Sequence, residues 1–205
     1  KLMYLSKKAY EDLPSINKSE LYLPSACISW VEWDIDKYYV GILGDCEVTC
    51  VTNENKILRC YDDSLNILDK KAINKMVLIA EEKQIDVLKA RPFINDLLIE
   101  NRKLMNTESG YNVFAIGKSP KFNIKKYEFR KEDIKEIYLY SDGFSALFDT
   151  LKVYRSHEEM FSESLDISEE INKIVSRSFE DDKCNQYPRF KKIDDITVIK
   201  MIKEM

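Results

Sequence analysis

Two nearly continuous apolar runs, Ile137-Tyr138-Leu139-Tyr140 and Val198-Ile199-Lys200-Met201, each meet an acidic signal at one end. The first leads into Ser141-Asp142-Gly143, and the second follows Asp194-Asp195-Ile196-Thr197. An aspartate at a strand tip is a hard oxygen ligand on a rigid support, which Mg²⁺ or Mn²⁺ requires. Asp142 and Asp194 are far apart in the chain, so they can act together only in a fold that brings the two strand ends side by side. Taken singly, Asp-Gly is an ordinary turn dipeptide and Asp194-Asp195 an ordinary solvated strand entry. Gly44-Asp45, which ends the run Tyr38–Leu43, is a third strand end of this kind, and as a plain turn its glycine would mark a hairpin or bulge.

The remaining pattern is mixed. Lys1 to Glu11 reads as the tail of an amphipathic helix, with Leu2, Leu5 and Ala9 at helical spacing. Ala26–Trp33, Lys37–Leu43, Glu47–Thr52 and Ile57–Tyr61 read as a meander of antiparallel strands, separated by turn-forming residues. Asp69–Lys89 and Phe93–Leu104 read as helices divided by Pro92. Strand texture returns at Asn112–Ile116, near Lys126–Phe129 and at Glu136–Tyr140. Helices follow at Phe144–Leu151, Glu158–Phe161 and Ser168–Ser178, the last opened by Ser168 with Glu169 and Glu170, and then a final strand Ile196–Ile202. This order is too irregular for a βαβ array and predicts one α+β domain of two packed antiparallel sheets with helices outside. Asp133–Asp142 and Asp194–Ile202 are expected as central strands.

The net charge of −4 offers no basic excess for gripping nucleic acid. No apolar run approaches the ~20 residues that span a bilayer, and the first ten residues lack the apolar stretch of a secretory signal. A cytoplasmic protein is the expectation. Five cysteines without a Cys-x-x-Cys pair and a single histidine, His157, do not make a zinc site; they read as buried thiols in a reducing compartment. The scarcity of histidine also argues against a Ser-His-Asp hydrolase.

In order and in neighbours, these strand ends resemble the metal-dependent, type 2C serine/threonine protein phosphatases. Tyr39-Val40-Gly41-Ile42-Leu43-Gly44-Asp45-Cys46 is similar to their apolar strand followed by Gly-Asp-Ser. Leu139-Tyr140-Ser141-Asp142-Gly143-Phe144 is similar to their Leu-x-Ser-Asp-Gly, and Asp194-Asp195-Ile196-Thr197-Val198 to their late Asp-Asn/Asp-x-Thr-Val. Glu100–Thr107 with Gly110-Tyr111 resembles a bacterial branch of the family, and Leu23–Ile28 loosely matches a strand start. The resemblance runs from about Leu21 to Met201.

What it implies is a four-layer αββα sandwich over residues 1–205, truncated at its N-terminus and lacking its first strands. Asp142 and Asp194 would hold a pair of Mn²⁺ or Mg²⁺ ions, with Asp195 the alternative at the late motif. Asp45 would serve an additional ion found in some members. No side-chain nucleophile is implied, only a metal-held water acting on phosphoserine or phosphothreonine of a protein substrate, with no nucleic-acid or membrane partner. The family's first metal motif, an Asp-Gly loop, has no match here and would precede Lys1. Cys46 replaces the serine after Gly-Asp, and Ala146 and Leu147 occupy the region of a second acid, with Asp149 the nearest one. The fragment alone is therefore expected to be weakly active or inactive within a longer, active chain. The alternatives are a catalytically inactive phosphatase-like regulatory or binding domain and, last, a binding domain of another family.

Overall fold

The computed structural model describes residues 1–14, 23–117 and 121–202. The helix α1 (Leu2–Asp12) is followed by five strands: β1 (Ser25–Ala26), β2 (Ile28–Trp33), β3 (Lys37–Leu43), β4 (Glu47–Thr52) and β5 (Ile57–Cys60). Next come α2 (Ser64–Lys83), α3 (Val87–Ala90), a 3₁₀ turn (Arg91–Ile94), α4 (Asn95–Lys103), β6 (Phe114–Ala115) and β7 (Lys125–Arg130). After a second 3₁₀ turn (Lys131–Asp133) the chain ends with β8 (Ile134–Tyr140), α5 (Asp142–Asp149), α6 (His157–Met160), α7 (Ile167–Glu180) and β9 (Val198–Ile202).

The strands form a four-stranded antiparallel sheet, β5-β4-β8-β9, a three-stranded one, β2-β3-β7, and the short pair β1-β6. The two larger sheets meet through one core, where Val40 and Ile42 of β3 join Val48, Cys50, Ile134 and Ile137 of β4 and β8. Residues alternate faces along a strand, so Val51, Tyr138 and Tyr140 point the other way, into a second core with Phe144, Leu147, Met160, Phe161 and Ile174 of α5, α6 and α7. On the outer face of the three-stranded sheet, α1 residues Leu2 and Leu5 and the sheet residues Trp30 and Tyr39 line a wide cavity. The order of layers is helix, sheet, sheet, helices: an α+β fold of antiparallel sheets flanked by helices. A third apolar cluster, Ala72, Met76, Ala80, Val87, Ala90 and Ile94, binds α2, α3 and the 3₁₀ turn together.

Several expectations shift. The stretch Ala26–Asp62 is two hairpins in different sheets rather than one meander, because β3 and β4 do not pair. Gly44 (φ +95°) therefore turns the chain between sheets rather than closing a hairpin, and a Cβ there would stand 2.7 Å from Cys27 Cβ. β8 is interior as expected, but β9 is an edge strand among the described residues, which leaves Ile199 and Ile202 exposed. The helix expected from Asp69 begins five residues earlier, at Ser64, and stops at a left-handed Gln84. The cap of α7 is Asp166 rather than Ser168, its side chain accepting from the Ser168 and Glu169 N–H groups.

The segment Glu100–Tyr111 is structural support. The Arg102 guanidinium donates to Ser25 Oγ (2.7 Å) and to the Leu23 carbonyl (2.6 Å), tying α4 to the start of β1. Asn106, at φ 57°, donates its N–H to the Tyr111 carbonyl and accepts from Val113 N through its side chain. Among the described residues no helix is long and apolar enough to cross a membrane. All five cysteines are unbonded.

Candidate functional site

β8 runs out to Tyr140 where β9, antiparallel to it, starts at Val198, the two residues being register partners. The segments flanking this end are stitched together. Ser141 N donates to the Thr197 carbonyl (3.0 Å), Thr197 N donates to Ser141 Oγ (3.0 Å), and Ser141 Oγ donates to the Asp195 carbonyl (3.0 Å). Gly143 lies so close to the incoming chain that a Cβ there would stand 2.9 Å from the Asp195 carbonyl carbon and 3.4 Å from Asp194 Cβ. The small residues of Ser141-Asp142-Gly143 thus have a steric reason: they let the two strand ends touch.

Asp142 and Asp194 line one cavity of about 160 Å³, whose other wall includes Asp69 of α2. Asp195 is exposed and does not line that cavity; its carbonyl is the acceptor just described. Asp45, in the turn after β3, does not line that cavity but is within electrostatic reach, since its charge acts on both Asp142 and Asp69. Surrounding protein atoms, and then the charges of Asp45 and Asp194, push the Asp142 carboxyl up to about 6. Burial, then Asp45, Asp142 and Asp194, push Asp69 up to about 7. The cleft is open to water, Asp142 being exposed and the other three half-buried.

Sequence reasoning missed Asp69. Its signal was present: Asp69 is three, seven and eleven positions before Ala72, Met76 and Ala80, the buried stripe of α2, so it is an acid in register with an apolar face.

Neighbouring charges are already committed in part. Lys191 Nζ is 2.5 Å from Asp194 Oδ1, and Asp194 Oδ1 also accepts from Asp195 N (2.8 Å). Asp142 Oδ1 accepts from Gly143 N (2.9 Å). The donor set suits a hard divalent cation: carboxylates only, mutually repelling, two of them with raised pKa. Among the described residues, however, no three Asp, Glu, His or Cys side chains are already drawn together as a cage.

Cysteine does not offer an alternative chemistry here. The Cys46 thiol is pushed up to about 12 by burial and by the charges of Asp45, Asp142 and Glu47, which disfavours the thiolate a nucleophile needs. Beneath the site lies a buried polar network. Glu47, 2% exposed, accepts Arg59 Nε (2.7 Å) and Nη2 (2.6 Å) and the Tyr140 hydroxyl (3.1 Å). Arg59 reaches on to Asp149 at the end of α5 (3.3 Å). His157, expected on a charged helical stretch, is buried instead, with Nε2 2.7 Å from Thr49 Oγ1 and Nδ1 without a hydrogen bond.

No family model and no curated protein matches the sequence. The solved structures it is similar to include bacterial serine/threonine phosphatases. The serine/threonine phosphatase Stp1 from Staphylococcus aureus is 11% identical at a TM-score of 0.47, over 98% of this chain and 63% of that one. The serine/threonine phosphatase of S. agalactiae is 11% identical at 0.46, over 98% and 69%. The Mycobacterium tuberculosis phosphatase PstP/Ppp is 10% identical at 0.48, over 99% and 68%. The chain thus spans less than two thirds of the length of Stp1. The activities named are those of the other proteins.

Proposed function

We propose that this chain carries part of the catalytic cleft of a divalent-metal-dependent phosphatase acting on phosphoserine or phosphothreonine in proteins. The observation that supports it best is the juxtaposition of Asp142 and Asp194 at adjacent antiparallel strand ends, locked by the Ser141 bonds and permitted by Gly143. Mn²⁺ or Mg²⁺, when bound, would neutralise phosphate oxygens and acidify a water at neutral pH. The residues that would hold it are Asp142 and Asp194, with Asp45 and Asp69 near enough to share or tune its charge. Ser141 and Gly143 act through geometry alone, fixing the separation of the two carriers. Asp149, through Arg59 and Glu47, anchors the far end of the helix that begins at Asp142.

The test is hydrolysis of a phosphothreonine peptide by the protein, with Mn²⁺ and with a chelator. Asp142→Asn in the full-length protein should abolish chelator-sensitive turnover and weaken Mn²⁺ binding at least ten-fold, about 1.4 kcal/mol. Metal-independent turnover, or full activity in Asp142→Asn, would refute the mechanism.

A second reading is a phosphatase-like binding domain without turnover. The absence of a formed three-ligand cage among the described residues favours it. Mn²⁺ uptake without hydrolysis in the full-length protein is its signature.

A further inference from the structure

The cavity that holds Asp142 and Asp194 is also walled by cations, and they are not equivalent. Lys70 stands on α2; the segment delivering the other three, residues 181–194, is built around one guanidinium. Arg189 donates to Asp181 Oδ2 (2.8 Å) and to the carbonyls of Asp181 (2.7 Å), Tyr187 (2.7 Å), Lys192 (3.0 Å) and Ser178 (3.3 Å). The Asp181 carboxylate in turn accepts the backbone N–H groups of Asn185, Gln186 and Tyr187. Arg189 is therefore spent on the loop itself. Lys192 is drawn away as well, its ammonium lying 4.0 Å over the Phe179 ring. Lys191 is the cation that this rigid loop aims at the acids, ion-paired with Asp194 and feeling the charges of Asp195 and Asp142 too.

A phosphorylated ligand approaching this cleft meets several carboxylates of its own sign, so it needs cations beyond those that neutralise the carboxylates. Lysine is suited to supply one, as a point charge on a flexible stem that can change partner without moving the backbone. We propose that Lys191 binds the phosphoryl oxygens of the substrate, giving up its ion pair with Asp194 when Asp194 turns to a divalent cation. This rests on the metal-dependent reading above. It assigns the cleft a phosphate-binding residue on the loop before β9 and makes the Lys191–Asp194 pair a competitor of metal binding.

Two binding measurements on the full-length protein separate this from the reading it rests on: calorimetric titration with Mn²⁺, then with inorganic phosphate on the Mn²⁺-saturated protein. The Lys191–Asp194 pair is partly exposed, so removing it with Lys191→Met should tighten Mn²⁺ binding only about two- to five-fold. The same variant should weaken phosphate binding about ten-fold, the size of a lost charge-assisted contact. Lys191→Arg should keep phosphate affinity within about three-fold, and Lys192→Met should change neither titration by more than about two-fold. Normal Mn²⁺ uptake with unchanged phosphate affinity in Lys191→Met would overturn the role of Lys191 and leave the metal reading standing. An equal loss in Lys191→Arg and Lys191→Met would also overturn it, pointing to loop damage rather than a lost cation. Failure of the unmodified protein to take up Mn²⁺ would overturn both.

Discussion

Gly143→Ala probes how much of the site depends on close approach. The added methyl would stand 2.9 Å from the Asp195 carbonyl carbon and nearer still to its oxygen. Ordinary carbon contacts begin at about 3.5 Å, so the Asp194-Asp195 segment must retreat by roughly 0.6 Å or more. That segment is not free to drift, because the Asp195 carbonyl accepts Ser141 Oγ and Thr197 is bonded to Ser141 in both directions. Overpacking of this kind costs about 2–3 kcal/mol. Alanine recovers up to about 1 kcal/mol from its better helix propensity in the first turn of α5. The net loss is about 1–2 kcal/mol, which for a chain of this size lowers Tm by about 2–8 °C. Calorimetric Tm and Mn²⁺ titration of the variant report stability and site geometry separately, and both should fall. A Tm equal to that of the unmodified protein together with unchanged Mn²⁺ affinity would show that the Gly143–Asp195 contact does not set the separation of the carboxylates.

Arg59→Ala should strand Glu47, almost fully buried, with only the Tyr140 hydroxyl on its carboxylate; a loss of about 3–5 kcal/mol in urea denaturation is expected, and a loss below about 1 would contradict it. His157 is held down to about 4, first by burial and then by the charge of Arg59. Its contribution to stability is therefore complete above its unfolded pKa of about 6.5 and is lost as pH falls towards 4, by about 2–3 kcal/mol at pH 4.5. Denaturation at pH 7 and pH 4.5 should show this decline flattened in His157→Gln, and parallel pH profiles would exclude the histidine as its source. Asp142 and Asp69 act with the opposite sign: their raised pKa values favour the fold at low pH, and that contribution fades as pH rises through about 6 and about 7. Added Mn²⁺ should therefore raise Tm more at pH 7.5 than at pH 5.5, as a thermal scan at the two pH values will report.

Strand identity was legible where period and turn chemistry agreed. Lys37–Leu43 and Glu47–Thr52 coincide with β3 and β4 to the residue, because each alternates or runs apolar between strong turn formers. Partner choice was not legible: nothing in Gly44-Asp45-Cys46 announces that the chain crosses between sheets, since a positive-φ glycine serves a hairpin and a crossover equally well. The edge position of β9 was hidden for a similar reason, its Val-Ile-Lys-Met-Ile reading as buried although Ile199 and Ile202 face water. Asp142 and Asp194 could be named because strand tips carry them in short, ordered motifs. Asp69 could not be found that way, because it reaches the cleft from mid-helix, through tertiary packing of α2.

The antiparallel pairing of β8 with β9 has a further consequence. The outgoing strand delivers Asp142 at the same end of the sheet from which the returning strand collects Asp194, so the distance between them is set by the ladder and the Ser141 stitches, not by the excursion of chain in between. That excursion is a packed layer of helices joined by surface loops. Doubling the length of a flexible loop costs only about 0.6 kcal/mol of closure entropy. Extra chain entering at its solvent-facing elbow, Ser162-Glu163, would lengthen the detour while leaving both carboxylates on the same two rails. The architecture thus separates what must stay fixed for chemistry from what is free to diversify, and a new lid or recognition arm could be grown there.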